Sequence, residues 1–204
     1  MSDQSTSLEV EVKFLVANLA EMRRKLLLAG AVLKKARVYE RNIRFDTPDE
    51  VLLQKWQLLR LRQDTAVRIT FKSPVIEDLT SEAKVREELE ITVDDFDTAV
   101  TIFKRLGFHP IQVYEKYRET FQLGDVEVVL DEMPFGNFME LEGSEFEIKK
   151  TVTALNLEWN KRILGNYLGL MSELKAFHNL PFNDLTFANF QDTAVTIADI
   201  LPAQ

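Results

Sequence analysis

Residues 9–14 read Glu-Val-Glu-Val-Lys-Phe and alternate charged with apolar side chains. Because side chains two apart on a β-strand share a face, this stretch predicts a strand with one charged and one apolar face. Residues 86–91 and 140–142 repeat the alternation. Several charged faces in a small domain predict a sheet closed around a polar interior. An interior with both signs of charge is costly unless it binds something, so the pattern predicts a site as well as a fold.

The composition narrows the classes of partner. The chain has 204 residues, which fits one substantial domain with or without an appendage. The formal net charge is −8 and the pI is about 5.0. An acidic molecule is a poor candidate for a nucleic-acid binder that works through a general basic surface, so no nucleic-acid partner is expected. An anionic ligand stays open, because the 25 Lys and Arg residues can concentrate in one cavity.

The residue types also exclude several chemistries. The chain has no cysteine, which rules out disulfides, zinc–thiolate sites, iron–sulfur clusters and a thiol nucleophile. The two histidines stand apart, and we interpret His109 as the end of a loop and His178 as a helix-capping residue. No apolar run is long enough to cross a bilayer, and the first residues lack the parts of a signal peptide. We therefore expect a soluble, cytoplasmic protein with no membrane partner.

Periodicity predicts an α+β chain of eight strands, mostly antiparallel in sequence order, with helices outside. The strands are expected at 8–16, 32–46, 54–62, 66–73, 84–93, 111–122, 126–133 and 137–142. Helices are expected after Asn18, at 95–106, from Ser144 to 157, and at 160–177, with capping boxes at Asn18 and Ser144. Residues 1–7 are interpreted as a disordered tail, 8–177 as one domain, and 178–204 as a tail packed on that domain through its aromatic residues.

The pattern restarts halfway along the chain. Each half reads as a strand with Glu-x-Glu, then a helix, a glycine and a strand with Tyr-acid-base. The Tyr-acid-base motif is Tyr39-Glu-Arg in the first half of the chain and Tyr114-Glu-Lys in the second half. We interpret this as a weak internal duplication, with chance resemblance as the alternative.

Charged residues of both signs occupy one face of nearly every predicted strand. The basic residues are Lys13, Arg60, Arg62, Arg68, Lys72, Arg86, Lys116 and Arg118, and the acidic ones are Glu9, Glu11, Glu88, Glu90, Glu127, Asp131, Glu140 and Glu142. For a single strand, exposure to water explains such a face. Agreement among six or seven strands favours a charged barrel interior, which suits a polyphosphate and magnesium or manganese ions.

These residues resemble the CYTH superfamily, the triphosphate tunnel metalloenzymes. The resemblance covers about 8–175 and rests on an ordered set of short motifs. They are Glu9-Val-Glu11-Val-Lys13, Phe45-Asp-Thr-Pro-Asp, Leu59-Arg60-Leu61-Arg62, Thr70-Phe71-Lys72, Arg86-Glu-Glu88-Leu-Glu90, Lys116-Tyr-Arg118 and Phe138-Met-Glu140-Leu-Glu142.

The resemblance implies an eight-stranded closed barrel whose tunnel binds a triphosphate with Mg²⁺ or Mn²⁺. The implied phosphate-binding residues are Lys13, Arg60, Arg62, Lys72, Arg86, Lys116 and Arg118. The implied metal ligands are Glu9, Glu11, Asp131, Glu140 and Glu142. Glu88, Glu90 and Lys72 are implied as catalytic, with the two glutamates supporting metal or water.

The resemblance leaves the reaction open. We favour hydrolysis of the terminal phosphate of inorganic triphosphate or a small organic triphosphate, because residues 32–44 carry extra cations such as Arg37 and Arg44 and a helical extension is expected at 144–177. Formation of cyclic AMP from ATP, as in class IV adenylyl cyclases, and a non-catalytic polyphosphate-binding module are the alternatives. Lys161 or Lys175 could close over a substrate, although a solvated position fits both better. A homodimer is also left open.

Overall fold

The computed structural model of the chain describes residues 7–75 and 81–201. Its eight strands are β1 (Ser7–Leu15), β2 (Val32–Asp46), β3 (Leu58–Gln63), β4 (Val67–Pro74), β5 (Lys84–Val93), β6 (His109–Leu123), β7 (Val126–Met133) and β8 (Gly136–Glu142). All neighbours pair antiparallel, and the order β1-β5-β4-β3-β2-β6-β7-β8 closes through the β1–β8 pair. The predicted eight-stranded α+β barrel is confirmed.

The helices lie between and after the strands. They are α1 (Leu19–Leu28), α2 (Val51–Gln54), α3 (Phe96–Arg105), α4 (Glu145–Ala154), α5 (Tyr167–His178) and α6 (Phe187–Phe190), with short 3₁₀ turns at Trp159–Lys161 and Ile197–Asp199. Polar side chains cap their first turns, as where Asn18 accepts a hydrogen bond from the Glu21 backbone N–H at 3.0 Å. None of the helices in the described part of the chain is long and apolar enough to span a membrane.

Two apolar clusters cover the outside of the barrel. One joins the apolar face of β1, including Val12 and Phe14, to α1 and α4. Another joins Phe45 and Leu61 of β2 and β3 to Phe103 of α3. Because side chains alternate along each strand, burying these faces outside turns the charged faces inward.

Two predicted boundaries and the interpretation of His109 were wrong. Residues 54–57 do not belong to a strand, because α2 ends at Gln54 and Trp56 takes a left-handed backbone conformation with φ of 58°. The last long helix starts at Tyr167 and not at residue 160. There the backbone of Ile163 exchanges two hydrogen bonds with Lys13, at 2.7 and 3.2 Å, which holds the chain extended beside β1. His109 opens β6 and does not end a loop.

The strand order has a pseudo-twofold symmetry. Suppose that each of the first four strands is relabelled as the strand four places later, and each of the last four as the strand four places earlier. The strand order around the barrel is then the original order read in the opposite direction. This agrees with a duplicated strand–helix–strand unit. The Tyr-acid-base match was wrong, because Tyr114 is buried and shares a face with Lys116, whereas Tyr39 is 39% exposed on the outer face.

The C-terminal segment covers one end of the barrel. Tyr114 and Phe138 lie on the inward faces of β6 and β8, and they belong to the same apolar cluster as Leu174 of α5 and Leu185. Leu185 also exchanges backbone hydrogen bonds with β6, donating to Val113 and accepting from Glu115, both at 2.9 Å. Residues 1–6 and 202–204 lie outside the described residues, and the division of the chain into domains stays a prediction.

Candidate functional site

A cavity of about 1180 Å³ lies inside the barrel and opens to solvent. The basic side chains on its wall are Lys13, Arg44, Arg60, Arg62, Lys72, Lys84, Arg86, Lys116 and Arg118. The acidic side chains on its wall are Glu9, Glu11, Glu50, Glu88, Glu90, Glu127, Glu140 and Glu142. The site residues proposed from sequence therefore all line this cavity except Asp131, which contacts Lys116 and Arg118 on its wall.

Arginines from adjacent strands crowd together on one part of the wall. Arg60 of β3 donates hydrogen bonds to the Thr70 hydroxyl at 2.9 Å and to the Tyr114 hydroxyl at 3.3 Å. The Nε atoms of Arg44, Arg60 and Arg62 are buried and make no hydrogen bond within the described part of the chain. Buried donors without acceptors are rare in proteins, so these guanidinium groups point to an anionic ligand.

The crowding also changes the acid–base properties of this wall. Burial, followed by the nearby Arg60 charge, lowers the pKa of Arg62. Burial alone would raise the pKa of Glu40, but Lys116, Arg118 and Arg62 outweigh it and lower that pKa to about 2. One Glu40 oxygen lies 3.7 Å from both Arg62 Nε and Lys116 Nζ. Glu40 is therefore a buried anion that holds two cations at the tunnel wall.

The carboxylates of β1 are held by lysines. Glu9 accepts from Lys72 of β4 at 2.6 Å. Glu11 lies 2.9 Å from Lys13 Nζ and also accepts from Lys84 of β5. Burial raises the pKa of Glu11, but the charges of Lys13 and Lys84 outweigh this effect and lower the pKa to about 2. The two lysines therefore favour the ionised form of Glu11.

Glu142 has the opposite environment. Burial, then the carboxylates of Glu9 and Glu127, raise the pKa of Glu142 to about 7, although part of its side chain is open to solvent. No hydrogen bond or ion pair holds the Glu142 carboxylate within the residues the structure describes. A carboxylate whose pKa is raised by neighbouring carboxylates belongs to a centre that a divalent cation would neutralise.

The donor chemistry fits magnesium or manganese, which prefer carboxylate oxygens. In the described ranges, however, no three acidic side chains converge at metal-ligand spacing. The reason is visible in the ion pairs, since Glu9 turns to Lys72 and Glu11 to Lys13 and Lys84. Glu9 and Glu142 would have to turn toward a common point to hold an ion.

Asp131 does not line the cavity, but it lies on the same face of β7 as Glu127 and contacts residues of the cavity wall. Its side chain is fully buried, and its two oxygens accept from Lys116 at 3.0 Å, Arg118 at 2.7 Å and the Tyr167 hydroxyl at 2.8 Å. These three donors occupy the carboxylate, so Asp131 positions the side chains of Lys116 and Arg118 in this structure. Its assignment as a metal ligand stays a prediction.

Sequence reasoning missed several wall residues. Arg44 of β2 and Lys84 of β5 line the cavity, and Glu40 and Asn42 are buried on the same face as Arg44. Strand parity was the available signal, because Lys84 lies two residues before Arg86. Neither lysine considered for closing over a substrate lines the cavity, since Lys161 pairs with Glu158 and Lys175 donates to Asn183. Arg37 lies outside, stacked 3.5 Å from the centre of the Tyr117 ring.

The chain therefore has the architecture of an antiparallel barrel whose tunnel carries charges of both signs. The chain belongs to the CYTH domain family, whose pattern matches residues 7–163. The family includes triphosphatases and adenylyl cyclases.

Three proteins illustrate the similarity. A Methanocaldococcus jannaschii protein, provisionally named an adenylate cyclase, is 29% identical over 175 residues, covering 80% of this chain and 98% of its own. A Vibrio parahaemolyticus structure with a similar provisional name has a TM-score of 0.70 at 20% identity, covering 80% of this chain and 97% of its own. A Hippeastrum structure, described as a provisional adenylyl cyclase with a dominant triphosphatase activity, has a TM-score of 0.54 at 18% identity, covering 78% and 90%.

Proposed function

We propose that this protein hydrolyses the terminal phosphate of a short triphosphate inside the barrel, with Mg²⁺ or Mn²⁺ as cofactor. The substrate is a small triphosphate-containing molecule, either inorganic or organic. The observation that carries the proposal is the set of buried guanidinium nitrogens on Arg44, Arg60 and Arg62 that have no acceptor. A triphosphate supplies oxygens in a row, and each can accept from a different strand of the wall.

The basic residues would bind the phosphates by neutralising their charge. The proposed set is Lys13, Arg44, Arg60, Arg62, Lys72, Arg86, Lys116 and Arg118, all of which line the cavity. Arg118 is held by Asp131, and Arg60 by Thr70 and Tyr114, so these groups are positioned before a ligand binds. Positioned charge of this kind supplies much of the catalysis of phosphoryl transfer.

The proposed metal-binding residues are Glu9, Glu11, Glu140 and Glu142. A bound Mg²⁺ or Mn²⁺ would withdraw charge from the phosphate oxygens. Binding of the cation would relieve the repulsion between the Glu9 and Glu142 carboxylates. It would also require Glu9 to separate from Lys72. The lysine released from Glu9 then becomes available to a phosphate oxygen.

Glu88, Glu90 and Lys72 are the proposed catalytic residues. Lys72 lowers the pKa of Glu88 against the effect of burial, so Glu88 is a carboxylate that can accept a hydrogen bond from water. In the reaction, the water oxygen bonds to the terminal phosphorus and the bond from that phosphorus to the bridging oxygen breaks. Glu88 or Glu90 accepts the proton of the water, and Lys72 neutralises the oxygen of the leaving diphosphate.

Cyclisation of ATP to cyclic AMP and pyrophosphate is the second candidate, favoured by the names of the M. jannaschii and V. parahaemolyticus relatives. The activity ascribed to the Hippeastrum protein supports hydrolysis instead. A non-catalytic polyphosphate-binding module is the third candidate. It is supported less well, because the wall retains carboxylates that binding of an anion alone would not need.

A product assay tests the proposal. Purified protein would receive inorganic triphosphate, thiamine triphosphate or ATP, each with magnesium or manganese, and phosphate and cyclic AMP would be measured together. Release of phosphate without cyclic AMP is the expected result. Cyclic AMP with pyrophosphate from ATP would establish the cyclase instead, and binding of triphosphate with no product in any condition would favour the binding module.

A further inference from the structure

Lys84 is a basic residue of the cavity wall that the proposed phosphate-binding set leaves out. It lies on β5 directly opposite Glu11 of β1 in the strand register, and both residues line the cavity. Its ammonium group donates a hydrogen bond to Oε1 of Glu11. The same oxygen lies 2.9 Å from Nζ of Lys13. One carboxylate oxygen of Glu11, a proposed metal ligand, is therefore already in contact with two cations.

Lys72 has a similar place beside another proposed metal ligand. Its ammonium group donates to Glu9 at 2.6 Å and lies 2.9 Å from Glu88. Ammonium groups and divalent cations both bind carboxylate oxygens, so a metal ion and these lysines compete for the same atoms. Whereas Lys72 is shared between two carboxylates, Lys84 pairs with Glu11 alone within residues 7–75 and 81–201. The charge of Lys84 is therefore committed to Glu11.

Taking either partner out of this ion pair is costly. The side chains of Glu11 and Lys84 are only 9% and 19% exposed. Removing one partner of a buried ion pair destabilises a protein, because the remaining charge loses its compensation. A divalent cation that took Glu11 by itself would leave Lys84 beside Lys13 without a counter-ion. A triphosphate that drew Lys84 away by itself would leave the Glu11 carboxylate with one cation fewer.

The two ligands together avoid this cost. A lysine side chain is a point charge on a flexible stem, and Lys84 lines the same cavity as the proposed phosphate-binding residues. If a divalent cation replaces the ammonium group at Glu11 while that ammonium group turns to a phosphate oxygen, every charge keeps a partner. Each ligand then favours binding of the other, and by thermodynamic linkage the effect is equal in both directions.

We propose that Lys84 holds the place of the divalent cation at Glu11 until a triphosphate binds, so that the cation binds weakly by itself and cooperatively with the triphosphate. This inference rests on the proposed triphosphate-binding function. It gives Lys84 a role different from that of the other bases on the wall, because Lys84 opposes binding of the metal alone. The metal centre thereby depends on the presence of the substrate.

Binding of Mn²⁺ alone tests this role without any turnover. Free Mn²⁺ is measured by electron paramagnetic resonance while the full chain is titrated. In Lys84→Gln, the dissociation constant for Mn²⁺ should fall about tenfold or more, because a neighbouring opposite charge changes the affinity of a carboxylate for a proton by a comparable factor. Lys84→Arg keeps the charge and should bind Mn²⁺ as weakly as the unmodified protein. Lys149→Gln is the matched control, since Lys149 pairs with Glu82 and Glu145 outside the cavity.

Cooperativity is measured with imidotriphosphate, an analogue whose bridging nitrogens resist hydrolysis. Its dissociation constant without Mn²⁺ is divided by that with Mn²⁺, in the unmodified protein and in Lys84→Gln. Contacts between the metal and the phosphates contribute equally in both proteins. The ratio should be smaller in Lys84→Gln by about fivefold or more, and this difference reports the coupling that Lys84 provides.

The outcomes separate this inference from the proposed function. An affinity for Mn²⁺ that is unchanged or weaker in Lys84→Gln, or an equal ratio in the two proteins, would overturn the inference while leaving triphosphate binding intact. If Lys84→Gln does not fold, Lys84→Met, which keeps an unbranched side chain without the charge, takes its place with the same expected results. Failure of imidotriphosphate to bind the unmodified protein, with or without Mn²⁺, would overturn the proposed function and this inference with it.

Discussion

Individual charged residues in this barrel have different roles, although the sequence presents them alike. Glu11 is ionised between two lysines, Glu142 repels its neighbours, and Asp131 is buried behind Lys116 and Arg118. The same carboxyl group is therefore a partner for cations, a candidate metal ligand or a positioning residue. The difference depends on which side chains the neighbouring strands place within about 4 Å, the range over which ion pairs form.

Replacing Arg60 with alanine should weaken triphosphate binding, raising KM by about tenfold or more. A buried guanidinium with an unused donor is well placed for a phosphate oxygen, and a charged hydrogen bond contributes roughly 1.5–3 kcal/mol. Steady-state kinetics would check this, with Arg37→Ala, outside the barrel, as the matched control. An unchanged KM and kcat in Arg60→Ala would place Arg60 outside the binding site.

Replacing Glu142 with glutamine should abolish turnover and at the same time stabilise the metal-free protein above pH 7. The folded-state pKa of Glu142 is raised, so its contribution to stability is present at low pH and is lost as the pH rises through about 7. A glutamine at this position stays neutral, so the folded protein does not lose stability as the pH rises through about 7. The checks are phosphate release and the thermal unfolding midpoint at pH 8.

Glu147→Gln, in the first turn of α4, is the control for Glu142→Gln, because it is equally conservative and away from the cavity. Glu11→Gln should also remove turnover while retaining the fold. Full turnover in both Glu11→Gln and Glu142→Gln would contradict the proposed metal site.

At the scale of elements, the C-terminal segment closes one end of the barrel. Leu185 pairs with the backbone of β6, and α5 packs over Phe138 on the inward face of β8. Tyr167 at the start of α5 donates to Asp131, so the helix also braces the carboxylate that holds Lys116 and Arg118. Packing of the tail and organisation of the cationic wall are therefore linked.

Leu185→Ala should lower the free energy of unfolding by about 2–5 kcal/mol, because Leu185 is fully buried and its removal leaves a cavity against β6. Urea denaturation followed by circular dichroism would measure this. Leu28→Ala, at a position that is 76% exposed on α1, should change stability by less than about 0.5 kcal/mol. Equal effects in the two variants would mean that the tail does not pack as described.

At the scale of the whole molecule, the barrel encloses a network of opposite charges that makes stability depend on pH. Glu40 is 1% exposed, and its pKa is lowered to about 2 by the surrounding bases. A lowered carboxyl pKa contributes stability above the unfolded value of 4.5, and that stability is lost as the pH falls toward 2.

The unmodified protein should therefore lose stability between pH 4.5 and 2, with Glu40 contributing on the order of 3 kcal/mol. In Glu40→Gln, the decline over the same interval should be shallower, although stability at pH 7 should be lower because Arg62 and Lys116 lose their buried partner. Denaturation at a series of pH values would give both slopes. If the free energy of unfolding depends on pH equally in the two proteins, Glu40 does not contribute to the pH dependence of stability. Glu21→Gln, on the exposed face of α1, provides the comparison.

Local patterns along the chain are enough to predict the strands, the four longer helices, the inward charged faces and most of the cavity wall. These depend on a period of two residues and on capping residues, which are local properties of the chain. Parity could also have identified Lys84 and Arg44.

No local pattern shows that Asp131 is held by Lys116 and Arg118, that Tyr39 and Tyr114 lie on opposite faces, or that Ile163 pairs with Lys13 of β1 instead of lying in a helix. The position of Trp56 on the cavity wall likewise depends on the tertiary fold. The physical reason is that ion pairs and backbone pairing join residues far apart in sequence, and their partners are set by strand register and barrel closure, which no local pattern encodes.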